Sequence, residues 1–313
     1  YRIGKKYGVL SFLSNLMKLK RAIKKEKPDI VYTQYLTTYG IMAGMTGFKN
    51  LALSVIGSDI YTHIKKFPFN IITKSYVNKF KMINVECEGV KSEVMKYYKY
   101  HDKVVVKNWG VDFKLFNTGI DRTEIRKRYG IGDNEKVIIS ARALIPRCNV
   151  ETVIRAVNEI KNDVRLLVVG DGESAQQLKK IADDFGMTKT IFTGAVEHKE
   201  LGKYLRAADV YAQASLGDTV SITMLDAMAC GVPCVSSNVG CTSEFIRDGF
   251  NGFLIEDFTD YKKLAGHIEH ILNDKELAKS FVDKSLEIVS TECEENKNME
   301  YIEDKMKELV LSS

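Results

Sequence analysis

The sequence predicts an α/β protein of two domains, each organised around a parallel sheet. Short strand-like runs alternate with stretches of helix length, and the series starts a second time after about residue 120. A chain of 313 residues is long enough for two cores. Charge divides along the same line. Residues 1–118 hold about 21 Lys and Arg against about 8 Asp and Glu, and the remainder is acidic by about 8. A basic first part suits an anionic partner (a membrane face, a lipid-phosphate acceptor or nucleic acid), or is lysine serving solubility.

Apolar and charged fractions are those of an ordinary globular protein. No apolar run approaches about 18 residues, so no membrane-spanning helix is expected, and the start as given carries no signal peptide. The six cysteines, at 87, 148, 230, 234, 241 and 293, have neither the density of a disulfide scaffold nor a zinc spacing, which suits a reducing cytoplasm.

In chain order, residues 8–27 read as an amphipathic helix. Leu10, Leu13, Leu16, Met17 and Ile23 lie on one side, Lys18, Lys20, Arg21, Lys24 and Lys25 on the other, and Pro28 ends it. Its apolar side is expected to cover a sheet; lying on a membrane surface is the alternative. Strands are expected at 29–32, 51–56, 82–86 and 103–107, and a helix over 90–100. The second strand runs into Gly57-Ser58-Asp59, a sharp turn with a carboxylate where open α/β sheets bind ligands; a plain cap for the next segment is the alternative. The mix of Lys and Tyr over 96–100 reads as a solvated helix end rather than a nucleic-acid surface. The linker is placed at about 113–120. A helix at 122–129 follows, then strands at 137–140, 165–169, 190–193 and 210–213, and helices at about 259–273, 275–290 and 294–310. Gly170-Asp171-Gly172 after one strand is a weak dinucleotide signal that lacks a third glycine.

The most informative stretch is 214–254. Residues 221–229 are almost wholly apolar, predicting a buried helix capped by Ser221 or Thr219, stopped at Gly231, and followed by Pro233 and a short buried strand at Cys234-Val235. Two acids break the pattern: Asp218 before the helix and Asp226 inside it. Eight residues of helix span about 12 Å, and the two face roughly the same side. A buried carboxylate needs donors, which sugar hydroxyls supply, and the helix start between them offers free N–H groups to a phosphate. Hydroxyl, phosphate and hydroxyl in a row describe a nucleotide-diphosphate sugar. Alternatively, Asp226 pairs with a nearby Arg and Asp218 is a plain loop acid.

Asp218, seven residues, Asp226, then Ala227-Met228-Ala229-Cys230-Gly231-Val232-Pro233, Gly240, Glu244 and Asp248-Gly249-Phe250-Asn251-Gly252 resemble the donor-site signature of the retaining GT-B glycosyltransferases, glycosyltransferase group 1 or family 4. That family usually has Glu at both acid positions. Asn108-Trp109-Gly110-Val111-Asp112 with Phe116 resembles the motif that closes its first domain, with Trp109 inserted. Arg142 matches the family's Gly-Arg arginine, while Cys148-Asn149 stands where Lys-Gly is usual and Ile56 where many relatives have His. The resemblance covers nearly the whole chain, most strongly 137–256.

The resemblance implies two Rossmann-like domains with parallel sheets facing a cleft: an acceptor-side domain at 1–118, a donor domain at 119–290, and a helix at 291–313 crossing back to the first domain. It also implies an opening strand and Gly-rich loop upstream of the first helix, so the first domain is read as incomplete at its N-terminus. The implied reaction moves a sugar from a UDP or GDP sugar to an acceptor hydroxyl with retention, in cell-envelope polysaccharide or glycolipid synthesis. No metal, cofactor or nucleic acid is expected. The expected setting is the cytoplasm, with a lipid-linked or saccharide acceptor and peripheral contact with the inner face of an anionic membrane. Asp218 holds sugar hydroxyls; Thr219, Val220 and Ser221 offer N–H groups to the diphosphate; Asp226 holds the ribose; Val196 lies by the base; Arg142, with Arg147, balances charge on the departing diphosphate. Gly57, Ser58 and Asp59 belong to the acceptor side. The substitutions at the acids, Lys and His favour a second reading, a catalytically weak or inactive nucleotide-sugar-binding subunit.

Overall fold

Ten strands and thirteen α-helices alternate along the part of the chain that the computed structural model describes, residues 9–64, 67, 69–161 and 163–311. The strands form two sheets, both parallel throughout. The chain divides into two units, residues 1–108 with 297–313, and residues 109–296.

In unit 1 the helices are α1 (Val9–Glu26), α2 (Thr38–Gly44), α3 (Phe69–Tyr76) and α4 (Glu88–Val94). They alternate with β1 (Val31–Gln34), β2 (Leu51–Val55), β3 (Met82–Val85) and β4 (Val104–Val106), in the sheet order β1-β2-β3-β4. Strands β2 and β3 are buried along their whole length, as parallel strands covered on both faces are. On α1, Leu16 is buried and Ile23 half-buried, but Leu13 and Met17 are exposed beside the lysines, so only part of the apolar side covers the domain. Gly8 and the side chain of Leu10 lie outside the described residues. Helix α2 escapes sequence reading because Gly40 and Gly44 are poor helix formers. They are there for packing: a Cβ at Gly44 would press the Tyr76 ring at 3.0 Å. Helix α4 stops at Val94, short of the expected residue 100, because Tyr98 turns inward and donates from its hydroxyl to Phe80 O at 2.9 Å.

Unit 2 holds α5 (Thr123–Arg128), β5 (Lys136–Ala141), α6 (Val150–Glu159), β6 (Val164–Val169), α7 (Ala175–Asp184), β7 (Thr190–Gly194), α8 (His198–Ala207) and β8 (Val210–Ala212). It continues with α9 (Ile222–Ala229), β9 (Cys234–Ser237), α10 (Thr242–Phe245), β10 (Gly252–Ile255), α11 (Tyr261–Asn273) and α12 (Lys275–Glu292). The sheet order is β10-β9-β8-β5-β6-β7. The chain therefore winds outward from β5 to β7, returns to β8 beside β5, and winds outward the other way. The strand order reverses between β5 and β8, and the crevice at the C-terminal ends of two such strands is where open α/β sheets take ligands.

The division falls before Trp109, and the segment expected as a linker packs on unit 2. Val111 N–H donates to Cys293 O at 2.6 Å, Glu295 N–H donates to Val111 O at 3.2 Å, and Phe116 is fully buried. The last helix, α13 (Glu295–Leu311), lays Ile302 against Ala52 and Met82 of the unit 1 sheet, with Met299, Met306 and Leu309 alongside. Asn298 fixes the register by donating to Asn108 O at 3.1 Å. Ile302→Ala should lower the unfolding free energy of unit 1 by about 2–4 kcal/mol, the range for truncating a fully buried aliphatic side chain. Urea unfolding measures it, and a loss below about 1 kcal/mol would show that this helix is not part of the core.

Candidate functional site

The reversal between β5 and β8 brings together two loops, 142–149 after β5 and 213–221 after β8. The first is shaped by glycine. Gly170, at φ +138°, lets the Arg142 carbonyl occupy the space of its missing Cβ, and Arg142 N–H donates to Val169 O at 3.0 Å. Gly172 does the same for the Leu144 carbonyl. The Gly170-Asp171-Gly172 pattern thus has a structural cause unrelated to a dinucleotide: it seats the turn that carries Arg142.

The loops are then stitched to each other. Leu216 N–H donates to Arg147 O at 2.9 Å, Arg147 Nη1 to Gly217 O at 3.1 Å, and Asn149 Nδ2 to Ala214 O at 3.0 Å. Asn149 adopts a left-handed φ of +47° where the Pro146–Cys148 turn meets α6. From behind, Gly240 at φ +61° leaves room for the Asp218 carbonyl, and Cys241 N–H donates to Thr219 O at 2.8 Å. Gly240 therefore sets the path of the loop that bears Asp218.

Arg142 is the hub. Its Nη2 makes an ion pair with Asp218 Oδ2 and touches Cys148 Sγ at 3.8 Å, and its Nη1 donates to Ser221 Oγ at 2.7 Å. Its Nε is buried and donates to nothing among the described residues. Burial opposes the charge, but the facing oxygens of Tyr211 and Asp218 more than offset it, holding the guanidinium above its ordinary range. Ser221, not Thr219, is the N-cap of α9, accepting from Met224 N–H at 3.4 Å. Ahead of it, the N–H groups of Thr219, Val220 and Ser221 meet no acceptor among the described residues. The second oxygen of Asp218, Oδ1, likewise has no donor there. The result is a half-buried cation, a fixed carboxylate with one open oxygen, and a row of unused amides at a helix start, which suits an oxyanion flanked by hydroxyls.

The two acids exchange the parts that the sequence alternative gave them: Asp218 holds the arginine, and Asp226 has no cation. Helix α9 begins at Ile222, so only part of the interval between them is helical, and Asp218 is placed by Gly240 and Arg142 rather than by helix rise. Asp226 is 2 % exposed, and no protein group among the described residues hydrogen-bonds to its carboxylate. Burial, reinforced by Glu295, pushes its pKa up to about 8. Val196 follows edge strand β7, two strands from Arg142 in the sheet order.

In unit 1, Asp59 is fully buried. Its Oδ1 accepts from Gly57 N–H at 2.8 Å and Ile56 N–H at 3.2 Å, and its Oδ2 from Leu36 N–H at 2.7 Å. Burial raises its pKa, and these amides pull it back down. The carboxylate is thus an internal clamp that ties the loops after β1 and β2 together. Gly57 takes φ +117° in that turn, and Ser58 Oγ lies 3.0 Å from the Tyr35 hydroxyl.

Comparison with known proteins bears on this architecture. The sequence pattern described as "Glycosyl transferases group 1" matches residues 121–287, more than half of the chain, which include both loops and α9. The chain belongs to the group 1 glycosyltransferase family. The pattern "Glycosyl transferase 4-like" matches residues 2–86. The crystal structure of Anabaena Alr3699/HepE in complex with UDP has a TM-score of 0.84 at 18 % identity, covering 96 % of this chain and 84 % of that one, which shows the GT-B fold. N-acetyl-alpha-D-glucosaminyl L-malate synthase of Bacillus anthracis is 24 % identical over 280 residues, 87 % of this chain and 72 % of that protein. A GDP-mannose-dependent alpha-(1-6)-phosphatidylinositol monomannoside mannosyltransferase of Mycolicibacterium smegmatis is 33 % identical over 177 residues. That match takes in 53 % of this chain but only 46 % of the mannosyltransferase.

Of the site residues expected from sequence, the structure gathers Arg142, Arg147, Asp218, Thr219, Val220 and Ser221 in one place in this glycosyltransferase. Gln213, Asn149 and Gly240, which hold that place together, carried no site role in the sequence reading.

The Asp226 carboxyl yields a stability prediction. It ionises near 3.8 when unfolded and near 8 when folded, so between those values the native state keeps a proton that the unfolded chain has released. The contribution of Asp226 to stability is full below about pH 4, falls as pH rises to about 8, and then levels off. Asp226→Asn should flatten this slope and stabilise unit 2 by about 1–3 kcal/mol at pH 7. Denaturant unfolding at pH 5 and pH 7 reads it, and an unchanged difference between the two would contradict a protonated Asp226.

Proposed function

We propose that this glycosyltransferase moves a hexosyl group from a UDP or GDP sugar to an acceptor hydroxyl with retention of anomeric configuration, in the synthesis of an envelope polysaccharide or glycolipid. The observation that carries the donor half of this reading is the Arg142–Asp218 pair set over the open amides of Thr219, Val220 and Ser221. The diphosphate takes those amides and faces the positive charge of Arg142, with the Arg147 guanidinium beside it. Negative charge grows on the diphosphate as the glycosidic bond breaks, so fixed donors there stabilise the transition state more than the ground state. Asp218, steered by Arg142, offers Oδ1 to hydroxyls of the transferred sugar. Asp226, largely protonated at neutral pH, both donates to and accepts from the ribose hydroxyls. Val196 lines the base.

No side chain at this site is placed as a protein nucleophile, so retention follows a front-side course. The leaving phosphate oxygen takes the acceptor's proton while the acceptor oxygen bonds to the anomeric carbon on the face that the phosphate leaves. Unit 1 supplies the acceptor side through the Gly57-Ser58 turn, held from beneath by Asp59. Exposed Leu13 and Met17 beside Lys18, Lys20, Arg21, Lys24 and Lys25 on α1 support peripheral contact with an anionic membrane face and hence a lipid-linked acceptor. The phosphatidylinositol mannoside acceptor in the name of one relative agrees with that. Among the described residues, no helix is long and apolar enough to cross a membrane.

Thermal-shift titration with UDP, GDP and their sugars selects the donor, and sugar transfer is then followed with the selected donor. Arg142→Ala should lower kcat on the order of 10²–10³-fold, the range for losing one fixed donor to developing negative charge. A drop below about threefold would reject its role at the diphosphate. Asp226→Ala should weaken nucleoside diphosphate binding by about 1–3 kcal/mol by calorimetry, the range for two neutral hydrogen bonds, and unchanged affinity would reject its ribose contact. Tight donor binding without any transfer would favour the reading as a binding subunit.

A further inference from the structure

Beneath the helix start lies a buried polar chain that the proposed mechanism does not use. Gln213 stands one residue past β8 and is fully buried. Its Oε1 lies 2.8 Å from Ser221 Oγ and 2.9 Å from the Tyr211 hydroxyl, and its Nε2 lies 2.8 Å from Ser236 Oγ. The partners assign the protons in this chain. Ser236 donates its own proton to Ser237 O at 3.1 Å, so its oxygen accepts from Gln213 Nε2. That orients the amide with Oε1 toward the two hydroxyls, which both donate to it. Ser221 has then spent its proton on Gln213. Its lone pairs are left for donors, among them Met224 N–H at the start of α9 and Arg142 Nη1. A hydroxyl free to rotate could instead turn its proton toward a phosphate or toward the guanidinium and push Arg142 aside.

We infer that Gln213 is a positioning residue for the transfer reaction: by accepting the Ser221 proton it locks that hydroxyl as an acceptor, which aims the Arg142 guanidinium at the donor diphosphate. The inference rests on the donor-site reading above. The chain of contacts is continuous, Gln213 to Ser221 to Arg142 to Asp218, buried at its first link and half-buried at the two made by Arg142. Each bond is one a polar group in a dry setting cannot give up without leaving an orphan. Gln213 touches neither the amides nor the open Asp218 oxygen, so it acts on the reaction through Ser221.

Gln213→Leu keeps the size of the side chain and removes both polar ends. In steady-state transfer with the donor selected by thermal shift, it should lower kcat on the order of 10–100-fold and leave the donor KM within about threefold, because the aim of the arginine changes and the amides do not. Ser221→Ala, a smaller change that keeps the fold if the Leu variant does not, should lower kcat by a similar factor. The double variant should be no worse than the more impaired single one, since both cut the same link. Unchanged kcat in both single variants overturns the inference while the donor-site reading stands. Losses that multiply in the double variant, or a rise in KM matching the fall in kcat/KM, also overturn it, because Gln213 would then act on folding or on ground-state binding. A wild-type chain that transfers no sugar from any UDP or GDP donor overturns the donor-site reading and this inference together.

Discussion

The ion pair between Arg142 and Asp218 is the interaction on which the proposed donor site depends, and it is costly to hold. A guanidinium and a carboxylate taken mostly out of water gain little unless geometry is tight and their remaining groups are satisfied. Two glycines, Gly170 and Gly240, make the geometry tight by bringing backbone up behind each partner. Ser221 and Gln213 satisfy the rest from below. What remains unsatisfied among the described residues is a buried arginine Nε, one carboxylate oxygen and three amides. Such a residue of unmet hydrogen bonding is what a polyanionic ligand with hydroxyls at its ends can complete, and it is located where the sheet order reverses.

The sequence showed much of this and concealed a definable part. The alternation of strands and helices was legible because parallel strands buried on both faces, such as β2 and β5, read as largely apolar runs. The loop of Asp218 and helix α9 were legible because two acids interrupt an apolar stretch beside a helix cap. Contacts across long sequence distance were not. Nothing local to Asp218 reveals that an arginine 76 residues earlier will hold it while Asp226 is left without one. Gln213 reads as the polar end of a strand, and only the fold brings Ser221 and Ser236 to its two ends. Strand β10 and helix α2 were missed because glycine at their ends or centre hides their propensity. The position of the division at Trp109 was hidden because Val111 and Phe116 find their partners far along the chain, at Cys293 and within the core of unit 2.

Departures from the family pattern acquire local explanations. Cys148, where lysine is usual, lies against the Arg142 guanidinium as a small buried neighbour, and the preceding Arg147 reaches the same loop by bonding Gly217 O. The positive charge is therefore moved by one residue and spread over a planar group rather than lost. Asp59 illustrates the reverse case. It stands in the turn after β2 where the sequence pointed to a ligand, yet it is sealed by three amides and serves the shape of the turn.

The route of the chain through α13 has a bearing on biogenesis. Every strand of unit 1 has been made by residue 106, yet the patch formed by Ala52 and Met82 stays uncovered until Ile302 and Leu309 emerge from the ribosome. Unit 2, residues 109–296, is complete before that happens. Vectorial synthesis thus lets the later domain mature first, while the earlier one waits with a greasy face open to chaperones or to self-association, and helix α13 serves as its closing seal.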